Sequence, residues 1–159
     1  MLNMPRSVES LKSILPENKN FCLVGGVFDL IHVGHLHLLE YAASLEDILV
    51  VAVLSDKYVR GYKDPDRPII AQAQRAMMVA ALRCVDYAYI ADVSPNSSRV
   101  LSLLQPHSVV FGEDAQNADR IAERTDRVHR CSPMTHIRTL PRYKSEDIST
   151  EAIIRKIRG

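Results

Sequence analysis

The sequence predicts an α/β fold built on a doubly wound parallel sheet, a Rossmann-like arrangement. Two observations carry this prediction. Short apolar runs typical of buried strands alternate along the chain with segments whose apolar residues recur at helical spacing. Each strand, helix, strand unit makes its two strands parallel, joined by a right-handed crossover. Hydrophobic residues are 47% of the 159, enough for one core. We therefore expect a single domain over 1–159.

The elements follow in the order that this fold requires. A leading helix over 7–15 begins at Ser7 and ends at Pro16, within a leading segment over 1–20. The central part, 21–114, alternates between the two element types, and a C-terminal part follows over 115–159. We expect strands at 21–26, 48–55, 86–92, 107–114 and 135–140. We expect helices at 35–45, 71–85, 97–106 and 149–157, the last capped by Ser149.

Composition excludes several function classes. Twenty basic residues balance nineteen acidic ones, so no global field favours nucleic acid or an anionic membrane, and any anion site must be local. Three widely spaced cysteines without a C-x-x-C pair indicate reduced thiols rather than disulfides or a zinc site. No apolar run approaches the length of a membrane-spanning helix. We expect a soluble, cytoplasmic protein.

The segment after 115 is rich in arginine. Arg120, Arg124 and Arg127 fall at helical spacing, and 120–144 holds seven basic residues against Glu123 and Asp126. One interpretation is a solvated helix face. The alternative is a rim that faces phosphate.

The stretch GGVFDLIHVGH, residues 25–35, places polar chemistry where a strand ends and a helix begins. Ligands bind at that edge of an open parallel sheet, and a helix N-terminus there attracts phosphate. His32 and His35 are three residues apart and project from one side of the first turn. Such a pair is suited to donate hydrogen bonds to phosphoryl oxygens as charge develops in a transition state. As alternatives, His32, His35 and His37 could bind metal, or each histidine could be a satisfied core residue. Asp29 could cap the helix, orient the loop or contact an acceptor.

Residues 26–35 resemble the G-x-F-D-x-x-H-x-G-H signature of the cytidylyltransferase-like nucleotidyltransferases. The resemblance continues along nearly the whole chain. Further segments similar to that family are SDKYVRGYKDPDRP (55–68), QRAMMVAALRCVD (74–86), FGED (111–114) and ISTEAII (148–154).

The resemblance implies an enzyme that joins a nucleoside triphosphate to a phosphorylated small molecule and releases pyrophosphate. It implies that His32, His35 and Lys63 are catalytic, and that Asp29, Lys63 and Arg67 face the acceptor. Ser149 and Thr150 would hold the β- and γ-phosphates, and Arg75 would be a further phosphate contact. The remaining implied nucleotide contacts are Gly26, Val27, Phe28, Gly34, Gly112, Asp114, Arg142, Lys144 and Ile148. Mg²⁺ would accompany the triphosphate, held mainly by phosphate oxygens and water rather than by protein ligands.

Two departures from the family pattern concern the nucleotide site. Either Arg142 or Lys144 stands where CTP-using members have an arginine, and only arginine supplies a bidentate fork. Asp64 stands where glycine commonly follows the lysine.

The choice of nucleotide rests on cues that disagree. The central segments are similar to the ATP-using heptose 1-phosphate adenylyltransferases, whereas the I-S-T tail is similar to enzymes that transfer CMP to glycerol phosphate, phosphocholine or phosphoethanolamine. We expect CTP, with ATP as the alternative, and a homodimer by resemblance. A non-catalytic nucleotide-binding module is the alternative of another class.

Overall fold

A five-stranded, all-parallel sheet forms the centre of the computed structural model, which describes residues 4–5, 7–62, 66–112, 118–141, 143 and 148–159. The strand order is β3-β2-β1-β4-β5, so the chain winds outward to β3 and then returns to the other side of β1. The doubly wound parallel sheet is confirmed. The strands are β1 (Phe21–Gly26), β2 (Ile48–Leu54), β3 (Tyr87–Ala91), β4 (Ser108–Gly112) and β5 (His136–Leu140).

Helices cover both faces of the sheet. They are α1 (Val8–Ile14), α2 (Val33–Ala43), α3 (Asp56–Arg60), α4 (Gln72–Ala80), α5 (Ser98–Leu104), α6 (Ala118–Cys131) and α7 (Thr150–Arg158). Helices α1, α5 and α6 pack on one face, through Leu11, Leu101 and Val128 among others. Helices α2 and α4 pack on the other, through Leu39 and Val79. We call these the α5/α6 face and the α2/α4 face.

The buried strands explain why the sheet lies at the centre. All seven residues of β2 are buried, as expected for a strand covered on both faces and paired on both edges. β1 pairs with β2 from Phe21 opposite Ile48 to Gly26 opposite Val53, and with β4 through Val24 opposite Val110. The point where the strand order reverses therefore lies between β1 and β4.

Three differences from the expected elements have local causes. Helix α3 was not expected, because five residues are too few to show a period. It begins where the Ser55 hydroxyl accepts a hydrogen bond from the Tyr58 N–H at 3.2 Å. Helix α4 ends at Ala80 rather than 85, and turns cover 81–84. The arginine-rich segment forms α6, a helix of 14 residues. No helix in the described ranges has the length and apolar character needed to cross a bilayer.

The carboxyl end of β1 is held close to the loop that follows β3. A Cβ built on Gly25 would lie 2.1 Å from Pro95 Cγ, a distance that no side chain can occupy. Among the described residues, the atom nearest to a Cβ built on Gly112, at the end of β4, is Leu38 Cδ2 at 4.0 Å. Glycine is therefore required at the first position, whereas the described residues leave room for a methyl group at the second.

We expect Gly25→Ala to destabilise the protein by about 3 kcal/mol, because the methyl group forces the Pro95 loop away from β1. Thermal unfolding should show Tm lowered by roughly 6–12 °C for a chain of this size. Gly112→Ala is the matched control and should stay within about 2 °C of the wild type. Equal Tm values for Gly25→Ala and the control would contradict the packing of Pro95 on β1.

Candidate active site

The site lies at the carboxyl end of β1, beside β4, where the strand order reverses. A six-residue loop, 27–32, joins β1 to α2. Phe28 and Leu30 in this loop adopt positive φ values of 54° and 46°, a conformation that few side chains adopt without support. The Phe28 ring is 3% exposed, and a Cβ on Gly26 would lie 2.9 Å from its Cε2. Gly26 is thus needed for the loop to fold back over the strand end.

The two predicted histidines cap the start of α2. His32 is the N-cap residue, and its Nδ1 accepts a hydrogen bond from the Gly34 N–H at 3.1 Å. His35 Nδ1 accepts from the His32 N–H at 3.3 Å. The rings are stacked, with centroids 3.9 Å apart. Together they form a capping box in which imidazoles take the place of the usual hydroxyl and carboxylate.

This cap determines where each neutral ring carries its proton. A ring nitrogen that accepts a hydrogen bond is unprotonated, so the proton resides on Nε2. In each neutral imidazole Nε2–H is thus the donor, and it lies beside a helix N-terminus whose dipole favours anions. Gly34 permits this geometry, because a Cβ there would lie 3.0 Å from both Cε1 and Nδ1 of His32. Donors of this kind can form hydrogen bonds with phosphoryl oxygens.

Asp29 holds the loop rather than capping the helix. Its carboxylate is 1% exposed and accepts hydrogen bonds from the Ile69 N–H at 2.8 Å and the Ile70 N–H at 3.0 Å. Arg67 Nε lies 3.3 Å from the same carboxylate. The helix-cap interpretation of Asp29 is wrong, since His32 occupies that place. The loop-orienting interpretation agrees with these contacts.

Arg75 occupies a different place from the one expected of a phosphate contact. Its side chain is 1% exposed and donates to the Ile70 carbonyl at 2.8 Å, to the Leu54 carbonyl at 2.8 Å and to the Val27 carbonyl. It also pairs with Asp56 Oδ1 at 2.7 Å. The guanidinium therefore joins the ends of β1 and β2 to the 66–70 loop. Asp56 was not predicted as part of the site; its position directly after Ser55 in the family-like SDKYV segment was the available signal.

The start of α7 lies against the start of α2. A Cβ on Gly34 would be 3.8 Å from the Ile148 carbonyl oxygen, so the two helix N-termini are neighbours. Ser149 caps α7, its hydroxyl accepting from the Ala152 N–H at 3.0 Å. The Thr150 hydroxyl is buried and donates to the Asp29 carbonyl at 2.9 Å. The structure thus brings Ile148, Ser149 and Thr150 to the histidine pair.

Some of the remaining predicted site residues lie within the described ranges, and others lie outside them. Gly112 is exposed at the end of β4, the neighbour of β1. Arg67 is mostly buried and also lies 4.0 Å from Glu151 on α7. His37 lies against the Tyr143 ring, with centroids 5.2 Å apart. Lys63, Asp64, Asp114, Arg142 and Lys144 lie outside the described residues.

The metal-binding interpretation of the histidines finds no support in the described part of the chain. No group of three or more histidine, cysteine, aspartate or glutamate side chains there is placed to hold a metal ion. His32 and His35 direct Nδ1 to the backbone, and His37 contacts Tyr143.

Comparison with known proteins identifies the family of this chain. A sequence profile described as cytidylyltransferase-like matches residues 23–156. The chain belongs to the cytidylyltransferase-like family. Its relatives include the bifunctional protein HldE of Geotalea uraniireducens (strain Rf4), 38% identical over 112 residues, which are 70% of this chain and 23% of that protein. The FAD synthase of Thermococcus sibiricus (strain DSM 12597 / MM 739) is 38% identical over 135 residues, 85% of this chain and 90% of that one.

A solved structure shows the same fold as this cytidylyltransferase-like chain. The lipopolysaccharide core biosynthesis protein of Thermoplasma volcanium GSS1 superposes with a TM-score of 0.68 at 24% identity, over 80% of this chain and 100% of that one. The cytidylyltransferase-like chain spans less than a third of the length of the HldE proteins that it matches. The expected position between cytidylyltransferases and heptose adenylyltransferases is confirmed at the level of the family.

We expect Arg75→Lys to destabilise the protein by about 2–3 kcal/mol, although the charge is retained, because one ammonium cannot reach three carbonyls and a carboxylate. Urea denaturation would measure the change. Arg83→Lys, at an exposed position after α4, is the control and should alter stability by less than about 0.5 kcal/mol. Equal stability of the two variants would show that the guanidinium fork is dispensable.

Proposed function

We propose that this protein transfers a nucleotidyl group from a nucleoside triphosphate to the phosphate of a small acceptor. An acceptor phosphate oxygen attacks the α-phosphorus, the bond from that phosphorus to the bridging oxygen breaks, and pyrophosphate leaves with the electron pair. No side-chain nucleophile is required, so catalysis depends on positioning and on charge stabilisation. The stacked pair His32 and His35, capping α2 through Nδ1, is the observation that carries the proposal.

The pair supports this chemistry because its donors are fixed before the substrate arrives. The two Nε2–H groups are held in place by hydrogen bonds at the opposite ring nitrogens, and donors held in this way cost no reorganisation as charge develops. The N–H groups at the start of α7 would receive the β- and γ-phosphates, with Ser149 and Thr150 shaping that start. Lys63 would bridge the α-phosphate and the acceptor phosphate.

We propose ATP as the donor to be tested first. The Ile148, Ser149, Thr150 segment favours CTP, whereas the relatives favour ATP. FAD contains an adenylyl group, and the FAD synthase relative covers most of this chain at 38% identity. The HldE relatives match the branch whose central segments this chain resembles. CTP remains the second candidate on the strength of the α7 start, which lies beside the histidine pair.

Magnesium would enter with the triphosphate. The Asp29 carboxylate already accepts two backbone N–H groups, so it is not offered to a metal. Binding by phosphate oxygens and water therefore fits the described residues best. The ion would neutralise the charge on the triphosphate and on the departing pyrophosphate.

A pyrophosphate-release assay with Mg²⁺ tests the reaction. ATP, CTP, UTP and GTP should each be combined with sugar 1-phosphates, glycerol phosphate, phosphoethanolamine, phosphocholine and FMN. We expect release with one nucleotide, ATP, and one class of acceptor. Release with CTP alone would overturn the choice of donor and leave the reaction standing. Triphosphate binding without release from any pair would favour the non-catalytic nucleotide-binding module.

A second prediction separates the two roles of His35. We expect His35→Ser to retain the helix cap, since Ser10 at the equivalent position of α1 accepts from the Ser7 N–H at 2.9 Å. Stability should change by less than about 1 kcal/mol. Turnover should fall about a hundredfold or more, because the Nε2–H donor is gone.

His129→Ser is the matched control, at an exposed position in the last turn of α6. Its turnover should equal that of the wild type. A loss under threefold in His35→Ser, with His129→Ser unchanged, would refute the catalytic role of His35.

A further inference from the structure

The arginines of α6 fall into two groups that sequence spacing does not distinguish. Arg127 pairs with Glu123 at 2.8 Å and Arg130 with Asp126 at 3.1 Å, each one turn away. Arg120 and Arg124 make no ion pair with any residue of the described ranges, and both are exposed. The solvated-face interpretation therefore suits the second half of α6, whereas its first half presents Arg120 and Arg124 outside any such ion pair, with Asp119 beside them in the sequence.

Arg124, one of these two arginines, lies at the same edge of the sheet as the histidines but on the other face. The guanidinium carbon of Arg124 is 5.9 Å from the centroid of the Phe111 ring. Phe111 is one residue beyond Val110, which is opposite Val24, so it is level with Gly25 in β1. Phe111 belongs to the core of the α5/α6 face, whereas α2 packs on the α2/α4 face. Arg124 and the histidine pair thus flank the carboxyl end of β1 from opposite faces of the sheet.

Tyr62, the last residue of the described range 7–62, feels the charge of both arginines. Burial raises the pKa of the Tyr62 hydroxyl and Tyr58 adds to the rise, while the positive charges of Arg124, Arg75 and Arg120 oppose it. The charges of the α6 arginines therefore reach the Tyr62 side chain, which is 47% exposed. Lys63 follows Tyr62 directly in the sequence.

We propose that Arg120 and Arg124 bind the phosphate of the acceptor and present it to the α-phosphorus from the α5/α6 face. This inference rests on the proposed function. An in-line displacement requires the attacking and leaving oxygens on opposite sides of the phosphorus. The starts of α2 and α7 are neighbours on one side and suit the triphosphate. The arginine pair is a basic group on the other side, and guanidinium groups match phosphate bidentately.

Steady-state kinetics with the acceptor found in the pyrophosphate assay test the assignment. The double variant Arg120→Gln/Arg124→Gln should raise the acceptor KM at least tenfold and leave the Kd of the nucleoside triphosphate within twofold of the wild type. Arg130→Gln, an exposed arginine on the same helix, should leave both values unchanged. An acceptor KM within twofold of the wild type overturns the proposal. An equal loss in triphosphate affinity also overturns it, by assigning the pair to the nucleotide.

A binding measurement separates this inference from the reaction itself. Inorganic phosphate should be titrated into each protein with the nucleotide site filled by α,β-methylene-ATP. We expect the wild type to bind phosphate and the double variant to bind it at least tenfold more weakly. This result would support the arginine site even if no acceptor in the panel reacted, in which case the proposed reaction alone would fail. Phosphate that does not bind the wild type, or binds both proteins equally, overturns the arginine site.

Discussion

The buried guanidinium of Arg75 is the interaction on which the geometry of the site depends. Parallel strands end with carbonyl groups that have no partner in the sheet, and here the chain must turn away from β1 and β2 at the same place. Arg75 provides the missing hydrogen bonds at the ends of both strands. It donates to the Val27 and Leu54 carbonyls and also to the Ile70 carbonyl. A buried cation is costly unless it is paired and fully hydrogen-bonded. The Asp56 carboxylate at 2.7 Å supplies the pairing, so the charge, the carbonyls and α3 constrain one another.

A second set of contacts fixes the loop that carries the histidines. Asp29 accepts the N–H groups of Ile69 and Ile70, and its own carbonyl accepts the Thr150 hydroxyl. Since the Ile70 carbonyl is bound by Arg75, one continuous chain of polar contacts runs from α4 through the 66–70 loop and the 27–32 loop to the start of α7. The two helix starts that we propose to bind phosphate are thereby fixed relative to each other, and such preorganisation gives an entropic advantage in catalysis.

The sequence was sufficient for the parts of the protein that obey a period or a motif. Every strand lies within two residues of its expected ends, because each is a short apolar run with a clear boundary. The spacing of His32 and His35 correctly predicted that they project from one side of the first turn of α2. The positions of Arg75 and Asp29 could not be predicted, since both are charged residues in family-like segments and sequence alone does not show burial. Ligand-binding charges and charges that hold a loop share the same motifs, and only tertiary contacts separate them. Helix α3 was missed because five residues carry no periodic signal.

The histidine pair explains why polar side chains lie where β1 ends and α2 begins. A helix start leaves N–H groups without partners, so some side chain must accept hydrogen bonds there. Serine does this in α1, through Ser7 and Ser10. Imidazole also does so, through Nδ1, but keeps a second nitrogen that donates from the far side of the ring. The cap alone would therefore be satisfied by serine, whereas a cap that also presents two donors to a phosphate requires histidine. The same backbone requirement that begins the helix thus fixes the tautomer of the proposed catalytic groups.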